Sequence, residues 1–154
     1  MFTSLTNINQ ASYLYLLKAT AISIIPALFI ALGFSIAITP TSTLKFDASP
    51  LQLVIILVIF VPLIETFLLV YLIKTLNKFL SNKQYIAITA AVIWAFLHGL
   101  KAIEWGFIIA WSFYVFSISF LTWQKRSTKQ GFIMSLSIHA LQNLFVACGL
   151  ILLG

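Results

Sequence analysis

Charge is what this 154-residue chain has least of. Only 8% of its residues are Asp, Glu, Lys or Arg, and just three of those are acidic. An average soluble domain carries about 25% charged residues, so a water-facing coat of ordinary density cannot be built from this set. Cysteine is nearly absent too. The single Cys148 has no partner within the chain, which excludes a disulfide scaffold. Low hydrophobicity, the mark of a disordered chain, is equally missing, because 62% of the residues are apolar. What is abundant is uninterrupted apolar sequence. The net charge of +6 does not indicate nucleic acid, because the cations fall between the apolar runs, as they do in membrane proteins.

The charges divide the chain into five neutral blocks. Lys18 and Lys45 enclose Ala19–Ile38, which contains Pro26 and is followed by a Thr39-Pro40-Thr41-Ser42 turn. Asp47 and Lys74 enclose Leu51–Ile73, whose one charge is Glu65. Lys83 and Lys101 enclose Gln84–Leu100, Glu104 and Lys125 enclose Trp105–Gln124, and Phe132–Leu153 follows Lys129. Each is close to the roughly 20 residues a helix needs to cross hydrocarbon, where a helix is the open-chain way to pair every backbone group. The pattern predicts an all-α, polytopic membrane helix bundle in a single domain, 1–154. Its spans are expected at about 19–38, 51–73, 84–100, 105–124 and 132–153. The third is the shortest and could be re-entrant. The first is too long for a signal h-region and has only Lys18 before it, so it reads as a span. No internal repeat or interdomain linker is visible.

Five spans put the N-terminus on the same side as the second-to-third and fourth-to-fifth connections. Those carry Lys74, Lys78, Lys83, Lys125, Arg126 and Lys129, against Lys45 and Lys101 on the other side. The positive-inside bias therefore predicts a cytoplasmic N-terminus and an external C-terminus, in what reads as a bacterial plasma membrane. Trp105 and Trp123 bracket the fourth span, where interfacial aromatic belts lie. Lys74–Lys83 is amphipathic, with Leu76, Phe79 and Leu80 opposite the lysines, and reads either as an extension of the second helix along the interface or as a solvated helix end.

Within the spans stand one carboxylate, Glu65, and both histidines, His98 and His139. An ionisable group in mid-bilayer costs a few kcal/mol, so such groups turn inward and serve a function by default. At 1.5 Å per residue, Glu65 lies about 13 Å from Lys74, and His139 about 15 Å from Lys129. On the same rise His98 lies about 22 Å from Lys83, and Asn143 about 21 Å from Lys129. In a core about 30 Å thick, three helices thus bring costly groups to one depth. His139 and Asn143, four apart, share a helical face where they could hold an oxyanion. A lone transmembrane Asn is otherwise interhelical glue. Glu104 is expected to pair with Lys101 in the KAIE turn, and Gln142 and Thr89 to make helix contacts.

Pro62-Leu63-Ile64-Glu65-Thr66, Trp94-Ala95-Phe96-Leu97-His98 and His139-Ala140-Leu141-Gln142-Asn143 together resemble the three motifs of the CAAX prenyl protease and bacteriocin-processing family (CPBP, or Abi) of intramembrane glutamic proteases. The resemblance spans Pro62 to Asn143, a little over half the chain. It implies hydrolysis of a peptide bond without a covalent intermediate. Glu65 would be the general base, His98 would orient the water, and His139 and Asn143 would bind the oxyanion. The substrate would be membrane-anchored or membrane-inserted, reached from the lipid or from the basic side, and no cofactor is implied. Two positions depart from the family. The second Glu of its first motif is Thr66 here, and its Arg is Val70. These positions are i and i+4, so an anion and a cation are lost together. The same departures suit a catalytically inactive relative.

Other classes stay open on the residues alone. One Glu and two His could hold Zn²⁺ with an open position, though no H-E-x-x-H spacing is present. The same groups could relay protons in a small transporter, though no repeat or broken helix accompanies them. A non-enzymatic membrane partner or immunity protein is the third.

Overall fold

The computed structural model describes residues 2–37 and 49–153. The expected Thr39-Pro40-Thr41-Ser42 turn, Ile38, Lys45 and Asp47 lie outside them. Among the described residues all regular structure is helical. A short α1 (Phe2–Thr6) leads into α2 (Ser12–Ala37), α3 (Pro50–Leu76), α4 (Lys83–Gly99), α5 (Ile103–Trp123) and α6 (Thr128–Leu153). By length and composition α2, α3, α5 and α6 can each cross a membrane. The expected third span, α4, is a 17-residue helix, about 25 Å long, that turns directly into α5 through Leu100–Ala102. The chain is an all-α, multi-pass membrane bundle.

Two of the expected boundaries move. The first helix begins at Ser12 rather than near 19, and the last at Thr128 rather than 132. Lys18 and Lys129 are inside helices and exposed. A lysine can run its stem along an apolar surface and keep its charge in water, so it marks an interface without ending a helix. The predicted interfacial extension after Lys74 does not form. The second spanning helix stops at Leu76, the chain turns at Asn77–Phe79, Leu76 and Leu80 pack inward, and Phe79 is exposed. A new helix starts at Lys83, capped by Asn82, whose Oδ1 accepts from the Gln84 amide at 2.8 Å.

Helix α5 is the axis of the bundle and touches every other helix. Its neighbours keep much of their apolar surface outward, as at Leu28, Phe29, Phe67 and Phe96, which suits lipid contact. The closest packing is between α4 and α5. Ala87, Ala90 and Ala91 present a smooth buried face on α4, the small-residue geometry by which membrane helices approach without a hydrophobic driving force. At the end of this hairpin Gly106 is required. A Cβ there would sit 2.6 Å from the Ala95 carbonyl oxygen and 3.1 Å from Gly99 Cα.

The N-terminus is fastened to the end of α5. The Leu5 carbonyl accepts from the Tyr15 hydroxyl and from Thr122 Oγ1, each at 2.9 Å, and Tyr15 also bonds Ser119 Oγ. Arg126 donates to the Ile8 carbonyl at 2.6 Å, with its guanidinium over the Trp123 ring. Trp123 is therefore buried edge-on against Tyr15 rather than standing in an aromatic belt. The tertiary anchor for the N-terminus claims it. In the KAIE turn Lys101 is exposed and Glu104 is buried.

Candidate functional site

Helices α4 and α6 do not touch along their backbones among the described residues, while α3 and α5 each touch both. The gap between α4 and α6 is bridged by side chains on two sides. From α3, Glu65 reaches both imidazoles, with Oε1 at 3.5 Å from His98 Nε2 and Oε2 at 3.4 Å from His139 Nε2. From α5, Phe113 lies against both rings, and Phe116 stacks on His139 with centroids 4.5 Å apart. Trp94 stacks on Phe113 at 4.7 Å and tilts against His98. Three of the four residues expected at the site thus meet. Access is one-sided: Glu65 and His98 side chains are each 21% exposed, His139 only 5%.

One flanking bond fixes the tautomer of neutral His98. His98 Nδ1 stands 3.0 Å from the Trp94 carbonyl, one turn earlier on α4. A carbonyl can only accept, so Nδ1 carries the hydrogen and a neutral His98 turns its Nε2 lone pair to Glu65. A carboxylate also only accepts, so one proton, on either partner, completes that contact. His139 Nδ1 lies 3.4 Å from the Thr66 hydroxyl, which can donate or accept, and where that hydroxyl donates, Nε2 carries the hydrogen toward Glu65. In that arrangement Glu65 has a proton-sharing partner on one oxygen and a donor on the other. Both separations exceed the roughly 2.7–3.2 Å of formed hydrogen bonds.

Thr66 is the residue sequence reasoning undervalued. Read as a lost acid, it is fully buried and holds the ring that faces Glu65. The signal was its place beside Glu65 in the first motif. Val70 is buried at 8% exposure and packs in the apolar core. Phe113 and Phe116 carried no sequence signal, because Phe is abundant here.

Asn143 is bonded to the backbone of α3. Its Nδ2 donates to the Leu57 carbonyl of α3 at 2.9 Å, which is the interhelical role of a transmembrane Asn. Gln142 makes helix contacts as expected. It donates to Ser112 Oγ of α5 at 2.8 Å and accepts from Ser23 of α2.

Among the described residues no cluster of three or more His, Cys, Asp and Glu side chains has an arrangement suited to a metal ion. Compared with protein families, curated proteins and solved structures, the chain matches none.

Proposed function

We propose that this protein is an intramembrane glutamic-type endopeptidase that hydrolyses a peptide bond of a membrane-associated substrate. The observation that supports it best is the convergence of Glu65, His98 and His139 from three helices on one partly exposed point, backed by an aromatic wall. The motif resemblance from Pro62 to Asn143 points the same way.

In this reading a water enters beside Glu65 and His98, the exposed pair. Glu65, as carboxylate, takes a proton from that water while its oxygen attacks the scissile carbonyl carbon. His98 shares the proton. As Glu65 becomes neutral its hold on the His139 Nε2–H weakens, and that donor serves the oxyanion forming beside it. The proton then passes to the leaving nitrogen as the C–N bond breaks. Loss of an oxyanion donor of this kind typically lowers the rate about 100- to 1,000-fold. The basic end, with Lys74, Lys78, Lys83, Lys125, Arg126 and Lys129, faces the cytoplasm in this reading, with the C-terminus outside a bacterial plasma membrane.

The test compares membrane peptides by mass spectrometry in cells carrying wild type or Glu65→Gln. A peptide pair produced only by wild type, with both proteins inserted at equal levels, is the expected result. Identical peptide sets would refute the assignment.

A further inference from the structure

We propose that Asn143 is a positioning residue that replaces a backbone donor removed by Pro62 and thereby aims Glu65. The sequence supplies the problem. Proline has no N–H and leaves an upstream carbonyl without its helical partner. In α3 the turn Ile55–Phe60 is a π-helix, and at its end the Val61 N–H bonds the Ile56 carbonyl, five residues back. The next rung of that ladder would run from residue 62 to the Leu57 carbonyl, and residue 62 is proline. Pro62 is itself buried, and an unpaired backbone group at this depth costs several kcal/mol. The donor arrives from α6 as Asn143 Nδ2, 2.9 Å from that oxygen.

Helix α2 shows the same solution. Pro26 leaves the Ile22 carbonyl, four residues back, without its donor, and the Trp111 indole N–H of α5 fills it at 2.7 Å.

The consequence for the site is angular. A π turn accommodates one extra residue, and one residue of α-helix is about 100° of rotation. Glu65 lies three residues beyond Pro62. Were α3 to relax to continuous α-helix, the carboxylate would swing away from both imidazoles. The His139-x-x-x-Asn143 spacing then has one purpose: the ring meets Glu65 while the amide one turn away holds the bend that presents it. This deepens the proposed hydrolytic reading, on which its catalytic part rests. Asn143 acts on the base through the backbone and does not touch the reacting atoms.

The experiment restores the missing donor. Pro62→Ala returns an N–H able to reach Leu57, so it should make Asn143 dispensable, which it could not do for an oxyanion donor. In a Cys148→Ala background, Glu65→Cys and His139→Cys are joined by a short bifunctional thiol reagent and the coupling rate is measured. Asn143→Ala should slow coupling about tenfold, the scale of one unsatisfied buried acceptor. Adding Pro62→Ala should recover it. An unchanged rate in Asn143→Ala, or no recovery, overturns the proposal. If Asn143→Ala fails to accumulate, accumulation only when paired with Pro62→Ala supports it, and failure of both overturns it. With the site residues native, peptide cleavage lost in Asn143→Ala and regained with Pro62→Ala supports positioning, and a loss that Pro62→Ala leaves untouched makes Asn143 an oxyanion donor. Absence of cleavage in wild type would sink the protease reading alone, since the coupling rate does not depend on hydrolysis.

Discussion

Removing one hydroxyl, in Thr66→Val, tests the proton arrangement on which the chemistry depends. Valine keeps the branched shape that fills this fully buried position and takes away only the donor to His139 Nδ1. A neutral hydrogen bond contributes about 0.5–1.5 kcal/mol. At 3.4 Å this one belongs near the bottom of that range. About 0.5 kcal/mol corresponds to roughly a twofold change in the ratio of tautomers. The chain has only two histidines, so ¹⁵N spectra of the labelled protein in detergent, with one ring assigned by substitution, read both sites. At alkaline pH the wild type should show opposite tautomers, Nδ1–H at His98 and Nε2–H at His139. Thr66→Val should shift His139 toward Nδ1–H by about twofold and leave His98 unchanged, with cleavage falling by a similar factor. A wild-type His139 protonated on Nδ1, or a His98 protonated on Nε2, would refute the reasoning, because Glu65 would then lack that arrangement of partners.

Two further predictions concern the frame around the site. Gly106→Ala places a methyl group 2.6 Å from the Ala95 carbonyl oxygen, so α4 and α5 must separate. The expected cost is about 1–3 kcal/mol, read as a lower melting temperature in detergent, and an unchanged melting temperature would contradict the close crossing. Thr66→Glu places a second acid beside Glu65 with no cation to pair it and should be strongly destabilising, by about 3–5 kcal/mol for an unpaired buried charge. Adding Val70→Arg, one turn along the same buried face, should give a favourable coupling of at least about 1 kcal/mol in a double-mutant cycle. Additive losses would show that the two departures are independent.

Thr66 and Val70 illustrate how far the chain could be read. That they stand one helical turn apart was visible in the sequence. That a hydroxyl there faces His139 was not, because the contact joins residues 73 apart. The same divide runs through the third motif. Its spacing put His139 and Asn143 on one helical face, but two destinations were open to the amide, and the need created at Leu57 decided between them. Trp123 shows the opposite failure. Its place at the end of a span suggested an interfacial belt, and burial against Tyr15 overrode that.

The sequence by itself determined that the chain is a membrane bundle, because scarce charges separated by helix-length apolar runs admit no other way to pair the backbone. It also determined which groups are costly enough in lipid to have to face inward. Tertiary structure alone decided what those groups meet. The aromatic backing from α5 and the donor that completes Leu57 both come from segments distant in the chain. A local pattern fixes the face a residue occupies, whereas the partner across the gap is set by how helices pack.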